Sequence, residues 1–255
     1  METTTDEAQA PLARYLGDWA MKRHLVAVAL SAIVAAAPLA GAAVAANAPA
    51  SWDGLTRVSS KRFDYVYLLP GADFRSYTKI MLDPTQVAFQ KNWLRDYNNN
   101  QADPMSRMSD ADAQRLLGDV QTGFQEMFRK AISDAGYTIV NAPGPDVLRV
   151  GAAVINLDIA APDVMSPGRS RTFSQEAGGA SLVLEVRDST SNALLGRAVD
   201  NRVVGYGAPF RRDSVSNRAD FERQFGKWAK ASVDGLAELK ARSPLGGPTA
   251  AAATQ

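Results

Sequence analysis

Three stretches between Val147 and Val204 constrain this chain most. Val147 to Ala160 (V-L-R-V-G-A-A-V-I-N-L-D-I-A), Gly179 to Asp188 and Leu194 to Val204 are rich in branched and small apolar residues without helical spacing, so they read as strands. The second and third form a hairpin around Ser189 to Asn192. Leu182, Leu184 and Val186 alternate with Val183, Glu185 and Arg187, which predicts one buried face and one half-wet face.

Other elements fall around this centre. Phe63 to Leu69, closed by Pro70-Gly71, and Tyr77 to Leu82 read as strands, and Tyr137 to Val140 as a short one. Ser109 with Asp112 three residues on marks a helix start. Leu117, Val120, Phe124, Phe128, Ala131 and Ala135 then recur at helical steps up to a stop at Gly136. A second helix opens at Ser216 or Asn217 and carries Phe221, Phe225, Trp228, Ser232, Leu236 and Leu239. From Asp83 to Ser109 the periodicity fades, Val87, Phe89, Trp93 and Leu94 are expected to reach the core, and Asn98-Asn99-Asn100 reads as an exposed loop. The order predicts an α+β fold: one mixed, mostly antiparallel sheet with two main helices packed on it as a two-layer sandwich.

The amino terminus is set apart. Met21, Lys22 and Arg23 precede the apolar run Leu25 to Ala37, and Ala43-Val44-Ala45 offers a small-residue cleavage site, the pattern of a secretory signal. The expected organisation is an upstream extension over 1–20 outside the fold, with translation starting at Met1 or Met21. A signal peptide follows over 21–45, then a single globular domain over 46–242 and a disordered tail over 243–255. The alternative is a membrane anchor through residues 25–46 that stays uncleaved.

Composition limits the chemistry. The chain has 28 basic and 27 acidic side chains, no cysteine and one histidine, His24, inside the predicted signal segment. Near-neutral charge argues against nucleic-acid binding. The absence of cysteine excludes a thiol nucleophile and cysteine-ligated metal sites, and loss of the only imidazole on export excludes a serine triad and histidine-based metal or haem sites. No cofactor and no metal site is expected. Carboxylate chemistry is left, with Asp83, Asp158, Glu185 and Asp188 at strands or strand ends, although each also reads as a solvated or turn-forming residue. Asp96 to Asn100 starts like a calcium loop but has Gln101 and Arg107 where glycine and glutamate are needed. Gly178-Gly179 and Gly205-Tyr206-Gly207 lack phosphate-loop spacing and read as strand-end turns or bulges. Glu126 with Lys130 reads as a surface i,i+4 pair.

Two arginine-bearing loops are the most suggestive polar features. Pro167 to Phe173 carries Arg169 and Arg171, and Tyr206 to Arg212 carries Tyr206, Phe210, Arg211 and Arg212. Arginine beside an aromatic ring suits recognition of anionic groups or a partner surface, against a plainer role as solubilising charge. The expected partner is an envelope protein or an anionic envelope component; a membrane is involved only if the signal segment is retained.

Trp52-Asp53-Gly54-Leu55, Phe63 to Tyr67, Pro70 to Asp73, Tyr77 to Pro84, Trp93 and Gly136-Tyr137 together resemble the bacterial family called domain of unknown function 3313, over roughly residues 50–240. The resemblance implies an exported envelope protein of unknown molecular function, most simply a non-enzymatic accessory or partner-binding domain. It transfers no catalytic residues. The second reading is a carboxylate-based hydrolase acting on cell-wall or polysaccharide material. Many members carry a lipoprotein signal, and this chain departs from them in having no cysteine near residue 46.

Overall fold

The computed structural model describes residues 48–160, 172–174, 176–206, 210–212 and 214–245. The strands are β1 (Ser51–Trp52), β2 (Leu55–Val58), β3 (Tyr65–Leu68), β4 (Lys79–Leu82), β5 (Gln86–Phe89), β6 (Thr138–Val140), β7 (Val147–Ile159), β8 (Thr172–Ser174), β9 (Gly178–Asp188), β10 (Leu194–Val204) and β11 (Phe210–Arg212). The helices are α1 (Trp93–Asn99), α2 (Asp110–Asp134) and α3 (Ser214–Arg242). Nine strands form one sheet in the order β1-β2-β3-β10-β9-β7-β4-β6, with β5 also on β7. Pairing is antiparallel except where β4 runs parallel to β6 and β7, and β5 parallel to β7. This is the expected α+β architecture, with helices packed on an open, mostly antiparallel sheet.

The helix-covered face follows from alternation. Leu148, Val150, Ala152 and Val154 of β7 lie beside Ala180, Leu182 and Leu184 of β9, and all join a core with Phe124, Phe128 and Ile132 of α2 and Phe221, Phe225 and Trp228 of α3. The α2 stripe ends on buried Ile132 rather than Ala135, which is exposed, because the four-residue step from Phe128 stays on the core side. Ser109 and Asp112 form the expected reciprocal cap, and Gly136 ends the exit with φ 85°. Phe124 meets Phe225 edge to face at 5.4 Å between ring centroids, and Phe225 stacks on Trp228 at 6.0 Å.

Three local features depart from the sequence reading. Asn98 belongs to α1 rather than to a loop; its side chain donates to the Met108 carbonyl at 2.9 Å and accepts from the Met108 N–H at 2.8 Å. Lys130 pairs with Asp134 at 2.7 Å, not with Glu126. β7 carries a bulge at Asn156 (φ 51°), which lets Leu157 and Ile159 return to the helix side with Val154. There β9 begins on Gly178, where a Cβ would fall 1.9 Å from the Asp158 carbonyl oxygen, so only glycine fits. At the far end of α3, the Leu245 N–H donates to Ala72 and the Leu245 carbonyl accepts from Gly71, so residues 243–245 lie on the turn after β3.

Candidate functional site

The two arginine-bearing loops meet. β8 and β11 pair antiparallel as a separate two-stranded ribbon, with Arg211 opposite Phe173, Arg212 opposite Thr172 and Phe210 opposite Ser174. Arg169 and Arg171 lie outside the described residues. The root of the ribbon is fixed by Ala177, fully buried, whose N–H donates to the Val204 carbonyl at 2.8 Å. The Ala177 carbonyl accepts from the Ala160 N–H at 2.9 Å and from Asn217 Nδ2 at 3.2 Å, tying the ends of β7 and β10 to the start of α3. Beside this root Val203, Tyr206 and Val215 are 55%, 74% and 76% exposed. Exposed apolar side chains of this kind are common at recognition surfaces.

The sheet face away from α2 and α3 holds a charged row that the sequence reading missed. Glu185, expected on a half-wet face, is 2% exposed, and so is Arg197 directly opposite it on β10. Arg197 Nε and Nη2 donate to Glu185 Oε1 at 2.9 and 2.6 Å, and Nη1 donates to Asp53 Oδ2 at 2.9 Å. Trp52 lies over the guanidinium with its ring centroid 4.0 Å away and meets Tyr67 edge to face. The other Glu185 oxygen accepts from Arg187 Nη2 at 2.9 Å. A buried charge pair stands only when its hydrogen-bonding capacity is filled, and the hairpin of β1 and β2 supplies the missing carboxylate and ring. The correction has a simple cause: alternation predicts which residues share a face, not whether that face meets water.

Carboxylates elsewhere are engaged in structure. Asp83 accepts both its bonds from Arg149 Nε, at 3.0 and 2.9 Å, and Asp158 is exposed. Asp188 organises the turn between β9 and β10, accepting from the Ser191 N–H at 2.7 Å and from the Tyr77 hydroxyl at 2.9 Å. Asp64 and Asp200 are neighbouring carboxylates with opposed shifts. Burial pushes the Asp200 carboxyl up; burial also acts on Asp64, but bonds from Asn201 and Arg202 hold it below the usual range. Divergent shifts can mark an acid and base pair. Here Asp200 is 1% exposed and its oxygens accept from Trp228 Nε1 at 2.7 Å, from Arg202 Nη2 at 2.6 Å and from the Asp64 N–H at 3.1 Å, so the pair anchors α3 to the sheet. Among the described residues no group of three or more histidine, cysteine, aspartate or glutamate side chains could hold a metal ion, and no helix is long and apolar enough to cross a membrane.

No curated protein matches the chain. Solved structures similar to it include the PelC dodecamer from Paraburkholderia phytofirmans, at 12% identity over 70% of this chain and 98% of that one, with a TM-score of 0.35. Protein XCC0632 from Xanthomonas campestris is similar at 9% identity over 68% and 91%, with a TM-score of 0.35. A Helicobacter pylori protein described as a neuraminyllactose-binding hemagglutinin homolog is similar at 10% identity over 69% and 93%, with a TM-score of 0.33. Residues 45–232 match the family described as "Protein of unknown function (DUF3313)", and the chain belongs to that family.

Proposed function

We propose that this chain is an exported envelope protein that binds a partner through the β8 and β11 ribbon and catalyses no reaction. The observation that carries this reading is the pairing of β8 with β11, which joins the two arginine-bearing segments in one ribbon next to exposed Tyr206 and Val215. Arginine and aromatic side chains supply much of the binding energy at protein interfaces, and a guanidinium also suits carboxylate or phosphate groups of an envelope component. Membership of a family without an assigned activity is compatible with this role. In the proposed organisation, residues 1–20 precede the signal, 21–45 are removed on export, 46–242 form the globular domain and most of 243–255 is a tail.

The test expresses the full chain in its own host, with mass spectrometry placing the first residue of the exported form near Ala46. Partners are then captured by crosslinking and pull-down with the wild type and with a variant in which Arg169, Arg171, Arg211 and Arg212 are all glutamine. The ribbon reading predicts at least a ten-fold loss of captured partner with unchanged folding. Equal capture by the folded variant rejects it.

A further inference from the structure

Arg149 on β7 and Arg187 on β9 stand directly opposite each other in the sheet. Like charges in that register repel, so this arrangement needs an acceptor between or beside them. Both reach the same exposed residue in the turn between β9 and β10: Arg149 Nη1 donates to Asn192 Oδ1 at 3.4 Å and Arg187 Nη1 donates to the Asn192 carbonyl at 3.1 Å. Asn192 is held there in the left-handed region with φ 59°. The carboxylates of the cluster lie to the sides. Asp83 takes only Arg149 Nε, and Glu185 takes Arg187 Nη2 while also serving Arg197. Among the described residues Arg149 Nη2, Arg187 Nε and Asn192 Nδ2 have no hydrogen-bond partner. The two arginine side chains are 21% and 15% exposed, so they are fixed by their surroundings yet open at the Asn192 rim.

From this geometry we propose that Arg149, Arg187 and Asn192 form an oxyanion-binding notch, taking a carboxylate or phosphate group whose oxygens bridge the two guanidiniums. Guanidinium forks match two-oxygen acceptors in plane, and the Asn192 amide adds a third donor. Arg197 has no share in the notch, since it is buried against Glu185, Asp53 and Trp52. The charges of the cluster are matched by Asp83, Glu185 and Asp53, so recognition rests on donor geometry and tolerates salt better than an open basic patch does. This site is separate from the ribbon and does not depend on it.

The experiment titrates the full chain with inorganic phosphate, with acetate and with chloride at matched ionic strength, following arginine side-chain Nε–H resonances by NMR. Saturable shifts confined to Arg149, Arg187 and Asn192 are expected with phosphate, with acetate or with both. The tighter of the two identifies the source as phosphoryl or carboxylate. Arg187→Lys keeps the charge but loses the fork and is expected to weaken binding at least ten-fold, as is Asn192→Ala to a smaller extent. Shifts that equal those of chloride, or that spread over surface arginines, overturn the proposal on the wild type alone, whatever the variants do.

Discussion

The two faces of the sheet are built by the same strands and solve burial in opposite ways. On the helix side, Leu182, Leu184 and Val154 share one core cluster with Phe124, Phe225 and Trp228, and Asp200 is the buried carboxylate, accepting from the Trp228 indole. On the other side, one residue along each strand, Glu185 and Arg197 are equally buried, closed over by Trp52 and Asp53. Apolar burial is non-directional and gains from every methylene removed from water. A buried ion pair gains little overall and is unforgiving about geometry. The helix side therefore supplies stability, whereas the charged side fixes the place of the β1 and β2 hairpin.

The sharpest way to break this contrast starts on the helix side. Trp228→Ala removes a buried ring and strips Asp200 of a donor, and the loss expected in denaturant unfolding is about 3–5 kcal/mol. A loss under about 1 kcal/mol would mean that the aromatic cluster does not carry the fold.

A smaller effect is expected at the turn between β9 and β10, where Asp188 meets Tyr77. Burial first, then the bond to Asp188, pushes the Tyr77 hydroxyl up to about 12, while bonds from Ser191 hold Asp188 below the usual carboxylate range. The Tyr77 contribution is complete below its unfolded value of about 10 and is lost as pH rises through about 12. The Asp188 contribution is complete above its unfolded value of about 3.9 and is lost as pH falls through its depressed folded value. Tyr77→Phe is expected to cost about 1–2 kcal/mol at neutral pH, read by unfolding against pH. A variant as stable as the wild type across that range would show that the bond is not a staple.

Much of this was legible in the sequence, and the gaps have physical causes. The long strands and both long helices follow from periodicity because each has one face that must leave water, so Leu182 and Leu184, or Phe221, Phe225 and Trp228, declare their side directly. The β1 and β2 strands are too short to show a period, although Asp53-Gly54 is a strong turn signal and both residues have positive φ, 52° and 79°. β5 and α1 are likewise too short for a period to show, although Phe89, Trp93 and Tyr97, spaced four apart, stack on one another and hold them. The pairing of β8 with β11 joins segments far apart in sequence, so composition pointed to both arginine-bearing loops without revealing that they meet. Arg197 was hidden for another reason: an arginine in a strand reads as solvent-facing until its partners Glu185 and Asp53 are known.

The division between structural and available arginines can be tested in one measurement, the unfolding free energy of Arg197→Gln beside that of Arg149→Gln under identical conditions. Leaving Glu185 buried without its main partner should cost about 3–5 kcal/mol, whereas Arg149, whose pair with Asp83 is 21% and 22% exposed, should cost less, about 1–2 kcal/mol. Equal losses for the two variants would contradict the account, because Arg149 would then be as tied to the fold as Arg197.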